Sequence, residues 1–199
     1  MLHTLLIEDN LRLQDALKTG LELENEIGVN PFKLGMIGST DSHTSMASAE
    51  EPNFWGKVAT DSIPENKRPV DPSGYGDGEH GFNGWSMSAS GLAAVWAADN
   101  SREAIVAAMQ RRETYATTGP RMAVRLFGGW DFAPQDASNR MPAEIGYTKG
   151  VPMGGDLSKA PAGKAPTFLV AALKDPIGAN LDRIQVVKGW VDAKGEVQE

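Results

Sequence analysis

Asp41 and His43 stand two residues apart in the run Gly38-Ser39-Thr40-Asp41-Ser42-His43-Thr44. A carboxylate oxygen and an imidazole nitrogen are ordinary ligands for a zinc- or manganese-type ion. On a turn, rather than a regular strand, side chains at that spacing can face one ion or two adjacent ions. The hydroxyls of Ser39, Thr40, Ser42 and Thr44 lie close enough in sequence to orient both ligands by hydrogen bonds. The same triplet also reads as an Asx-type turn carrying an exposed histidine, and spacing alone does not separate the two readings.

Other groups with chemistry to offer are fewer. His80 sits in Asp77-Gly78-Glu79-His80-Gly81 and is a candidate substrate-binding residue or substitute ligand, although a histidine in such a loop is more often simply solvated. Arg121 follows Gly119-Pro120 and is a candidate to hold a phosphate or sulfate oxygen, since a guanidinium binds such anions bidentately. Arg111 and Arg112 fit better as cations decorating a helix C-terminus, where the dipole favours them. Trp55, Trp85, Trp96, Trp130 and Trp190 fit better as core and loop anchors than as a sugar-stacking platform.

The elements that must position these groups can be read from periodicity. Leu13, Leu17 and Leu21, widened by Ala16 and Leu23, make one apolar stripe and predict a helix from about Leu11 to Ile27. Gly28 and Pro31 stop it. Phe32–Ile37 follows as a short, buried strand, so Asp41 and His43 fall just beyond a strand end, where α/β folds collect ligands. Residues 50–85, rich in proline and then glycine, form a long loop. An alanine-rich helix is expected from Ser90 or Gly91 to Ala98. A second, with Asn100 and Glu103 as capping box, runs to about Arg112 with Ile105, Ala108 and Met109 facing inward. Thr114–Thr117, the alternating stretch Met122–Phe127, Thr167–Leu173 and Leu181–Val191 read as strands. Asp192-Ala193-Lys194-Gly195 reads as a hairpin loop. The fold class is therefore α+β.

Bulk properties remove several classes of function. A formal net charge of −7 argues against nucleic acid or an anionic membrane as partner, though a bound metal would still admit an anionic substrate. The absence of cysteine excludes disulfides and thiolate metal sites. No apolar run has transmembrane length, and the start turns acidic too early for a signal peptide, so the chain is expected to be soluble, with periplasm and cytoplasm both open.

Long motifs carry a resemblance. Gly28-Val29-Asn30-Pro31-Phe32-Lys33 through Thr44 resembles the bacterial family called domain of unknown function 3604. So do Arg111–Arg121, Phe127-Gly128-Gly129-Trp130-Asp131-Phe132 and Asn180–Trp190. That family looks related to the PHP (polymerase and histidinol phosphatase) superfamily of distorted barrels with multinuclear metal centres that hydrolyse phosphate esters. The resemblance implies that Asp41 and His43 match the late D-x-H ligand segment of such centres, and nothing here matches their early H-x-H pair. The chain then reads as a C-terminal fragment of a metal-dependent hydrolase, inactive alone because most ligands are missing. Residues 1–120 would be the end of a PHP-like α/β domain, and 121–199 a β-rich portion cut short. The parent would use a divalent metal of zinc or manganese type and a small-molecule ester substrate. The fragment would hold metal weakly or not at all, and surface bared by truncation would pair copies into a homo-oligomer. The competing reading is a non-catalytic β-rich binding or interaction module, favoured if Trp130 and Trp190 share one exposed sheet face.

Overall fold

The computed structural model describes residues 13–44, 54, 57 and 89–199. In chain order its elements are α1 (Leu13–Ile27), β1 (Leu92–Val95), α2 (Arg102–Gln110), β2 (Thr114–Thr117), β3 (Ala123–Gly129), α3 (Pro134–Ala137), α4 (Pro142–Lys149), β4 (Gly150–Pro152), β5 (Thr167–Leu173), β6 (Trp190–Val191) and β7 (Val197–Gln198). Helices with small antiparallel sheets make the fold mixed α+β, as the periodicities indicate. No helix among the described residues is long and apolar enough to cross a membrane.

The chain divides into two compact units, one joining the residues up to Leu34 with Asp182–Glu199, the other running Gly35–Leu181. In the first, α1 buries Ala16 and half-buries Leu17, Leu21 and Leu23, and it packs on β6 and β7. Gly28, at φ +75°, closes the helix by donating its N–H to Glu24 O at 3.0 Å, a conformation glycine adopts without a Cβ penalty. The expected hairpin is present, pairing Trp190 with Gln198 and Val191 with Val197. Asp192 Oδ1 accepts from the N–H groups of Lys194 (2.8 Å) and Glu196 (3.0 Å) across the turn. The expected strand Leu181–Val191 shrinks to its last two residues. Ile184, Val186 and Val187 stay exposed, because a strand needs a ladder and none of the described residues supplies one before Trp190.

In the second unit β3 is the centre of a sheet ordered β4-β3-β5. Its seven-residue register with β5 runs from Ala123↔Leu173 to Gly129↔Thr167. Phe127 on β3 and Leu169 on β5 are buried, and the Phe127 ring meets Tyr147 of α4 edge-on at 5.1 Å. β1 and β2 form a separate antiparallel pair with Leu92 opposite Thr117 and Val95 opposite Thr114. Trp96 ties it to β3 by donating its indole N–H to Val124 O at 3.0 Å, under the Arg125 guanidinium 3.6 Å from the ring centroid.

Three further expectations are corrected. The alanine-rich stretch after Ser90 is strand β1, not a helix. Alanine's helix preference over so few residues is small, and the ladder offered by β2 outweighs it. The cap of α2 is Ser101, whose Oγ accepts from Ala104 N at 3.2 Å, one residue later than Asn100. Phe32–Ile37 forms no strand, and Phe32 lies in a turn, while Met36 and Ile37 are exposed. Helices α3 and α4 have no apolar period long enough to announce them. Their one sequence signal is proline in the first turn of each. The expected loop 50–85 lies outside the described residues except at Phe54 and Lys57.

Candidate functional site

The segment leading to Asp41 is held against the β1–β2 pair by close backbone approach. A Cβ on Gly38 would lie 2.7 Å from the carbonyl oxygens of both Leu92 and Thr117, which are partners across the two strands. Neither oxygen can give way without breaking the ladder, so only glycine fits here. Two residues on, Thr40 O accepts from Ser90 N at 3.3 Å. The chain is thus delivered past the end of the pair at which β2 finishes and β1 begins.

Beyond that edge the backbone turns on its own hydroxyls. Ser39 Oγ accepts from Asp41 N at 3.2 Å, and Thr40 Oγ1 accepts from Ser42 N at 3.3 Å. Ser42 Oγ and Thr44 Oγ1 share a bond of 3.0 Å. Asp41 takes φ +61°, a left-handed conformation that short polar side chains tolerate better than most. His43 Nδ1 lies 2.9 Å from Asp41 O. A carbonyl can only accept, so Nδ1 carries a hydrogen, and the neutral ring in that tautomer has its lone pair on Nε2. This is the anchoring that metal-binding histidines use to fix tautomer and ring orientation.

Lys57 completes the cluster from outside the run. Its main-chain carbonyl accepts from His43 N at 2.6 Å. Its ammonium donates to Asp41 Oδ2 at 3.2 Å and to Ser90 Oγ. The Asp41 side chain is 57% exposed and that of Lys57 25%.

Asp41 and His43 are therefore brought together on one turn. A carboxylate and an imidazole nitrogen are donors of the kind a divalent ion takes, but the Lys57 ammonium already places a positive charge on that carboxylate. Among the described residues no group of three or more His, Asp or Glu gathers to hold a metal. His80 lies outside the described residues. Arg121 is exposed at its Gly-Pro turn. Its main-chain N–H donates to Asp175 Oδ2 at 2.7 Å, and that bond, with a second from Ile177 N, holds the Asp175 carboxyl below the usual carboxylate range. Trp130 follows β3, whereas Trp190 opens β6 with Lys188 Nζ 4.3 Å over its ring, so the two do not share a sheet.

A second polar cluster lies in the block Arg111–Arg121. Glu113 is 3% exposed. Its Oε2 accepts from Arg111 Nε (2.9 Å) and Nη2 (2.8 Å), and its Oε1 accepts from Tyr147 OH at 2.5 Å. Burial, then the Glu113 carboxylate, pushes the Tyr147 hydroxyl above its ordinary pKa, so it stays a donor. Arg112, at φ +60°, donates Nε to Gly154 O at 2.9 Å. These groups bind one another, and the arginines are committed to the fold rather than to an external anion. The sequence reading missed Lys57 and Ser90. Neither belongs to a motif, and nothing in local spacing reports that they meet Asp41.

A family model described as "Protein of unknown function (DUF3604)" matches residues 9–199. No curated protein and no solved structure matches the chain.

Proposed function

We propose that this chain, which belongs to the DUF3604 family of proteins of unknown function, carries two ligands of a divalent-metal hydrolase centre, Asp41 and His43. The observation that carries the reading is the bond from His43 Nδ1 to Asp41 O, which in the neutral ring leaves Nε2 as the nitrogen available to a metal, on the same turn as the part-exposed Asp41 carboxylate. Asp41 supplies a hard oxygen, His43 a borderline nitrogen, and the surrounding hydroxyls stiffen the turn that presents them. The likeness of this run to the late D-x-H segment of PHP enzymes is what supports hydrolysis of phosphate esters as the reaction class. A divalent ion bound in such a centre lowers the pKa of a water ligand and polarises the scissile group.

Two donors from one turn leave an ion mostly water-coordinated, while catalytic zinc sites use three protein ligands. Metal binding by the described residues is accordingly weak, and turnover requires further ligands. Calorimetric titration of zinc into the chain tests this. One weak site is expected, lost in both Asp41→Asn and His43→Ala. Binding that neither substitution alters would sink the proposal.

A further inference from the structure

We propose that Lys57 is a built-in competitor for the cation position on Asp41, and that it sets how tightly this turn takes a divalent ion. The inference rests on Asp41 and His43 being a ligand pair.

The geometry separates two jobs within one residue. The main-chain carbonyl of Lys57 fixes His43 by accepting its N–H at 2.6 Å, and this does not depend on the side chain. The ammonium bridges Asp41 Oδ2 at 3.2 Å and Ser90 Oγ. Ser90 is itself anchored, since its N–H donates to Thr40 O at 3.3 Å. Lys57 is thereby aimed at the carboxylate from a fixed wall, and its side chain is less exposed than that of Asp41 (25% against 57%). An ion approaching Asp41 meets a like charge within a few ångströms. It must displace the ammonium onto Ser90 or bind against its repulsion, which is doubled for a divalent ion. Solvent exposure and salt moderate the penalty, leaving a change in affinity of about tenfold.

The test is calorimetric titration of zinc chloride into the full chain as wild type, Lys57→Met, Lys57→Arg, Asp41→Asn and the double variant Lys57→Met/Asp41→Asn. Lys57→Met keeps the main-chain bond to His43 and most of the stem, so zinc should bind about tenfold more tightly. Lys57→Arg keeps the charge and should stay within about twofold of wild type. The double variant should lose the gain. Lys57→Gln is the second neutral variant should Lys57→Met fail to fold, and the same gain is expected of it. Unchanged or weaker binding in the neutral variants, with Asp41→Asn still weakening wild type, overturns the competitor role and leaves the ligand pair standing. Affinity indifferent to Asp41→Asn in both backgrounds overturns the ligand pair and this inference with it. No zinc uptake in any variant overturns both.

Discussion

Glu113 and Asp41 are both carboxylates held by a cation, but one is 3% exposed and the other has a side chain 57% exposed. Glu113 spends both oxygens, one on two N–H groups of Arg111 and the other on the Tyr147 hydroxyl. Asp41 engages one oxygen with a lysine that also serves Ser90. Around Glu113 the partners come from different elements, with Tyr147 on α4 and the ring of Phe127 packed beneath it. Around Asp41 most bonds join residues two apart. The first region is saturated and holds the fold. The second is tied together by short-range bonds, and its Asp41 side chain is more than half exposed.

If the first region is the structural one, its substitutions should dominate stability. Phe127→Ala removes the largest fully buried side chain among the described residues, on β3 against α4, and should cost about 3–5 kcal/mol in urea unfolding. A loss under about 1 kcal/mol would mean that the β4-β3-β5 sheet is not where the core energy lies. Glu113→Ala should cost less, about 1–2 kcal/mol, because both partners of the lost carboxylate, Arg111 and Tyr147, are half exposed and can recover water. Tyr147→Phe deletes one neutral donor and should cost about 1 kcal/mol. Zinc affinity should be unmoved in Glu113→Ala and Tyr147→Phe. If it moved, the two regions would not be independent.

Much of the saturated region is legible in sequence, and the reason is locality. β2, β3 and β5 announce themselves by alternation and β-branched residues, and α1 by a four-residue leucine spacing with Gly28 as its stop. Where the deciding partner is distant, the signal fails. Leu92–Val95 becomes a strand only because β2 pairs with it, and Leu181–Gly189 stays unpaired for want of a ladder. Arg111 was legible as a helix-end cation, but Glu113, the acid it serves, carried no mark of burial. The candidate site divides the same way. Asp41 and His43 are visible because both lie in one run, whereas Lys57 reaches Asp41 from sixteen residues away and leaves no pattern.

Acid should probe the structural carboxylates more gently. Asp136 is buried, accepts Lys149 Nζ on both oxygens (2.7 and 2.8 Å) and Ala133 N on one. Lys149, then that N–H, hold its carboxyl below the ordinary carboxylate pKa. A native pKa below the unfolded one adds stability that is complete above about pH 4 and is lost as pH falls through the native value. The melting temperature of Lys149→Met should therefore sit below wild type by a constant margin above about pH 5, and the gap should narrow as pH falls below about 4. A margin that persists undiminished to low pH would show that Lys149 contributes by packing rather than charge.

The smallest effect on stability is expected where the effect on binding is largest. Asp41 occupies a left-handed backbone position, φ +61°, at which glycine is the residue least penalised. Asp41→Gly relieves that strain and gives up one exposed ion pair, worth little on the surface, but it also loosens the unfolded chain. The two sides nearly cancel, and unfolding free energy should change by less than about 1 kcal/mol. Asp41→Asn, which keeps the turn chemistry without the charge, should be equally mild. Both should abolish zinc uptake while His43 remains in place. Together these outcomes would mark Asp41 as a residue whose carboxylate serves binding rather than stability. If Asp41→Gly instead destabilised the chain as Glu113→Ala does, the turn would be part of the scaffold and its carboxylate no freer than that of Glu113.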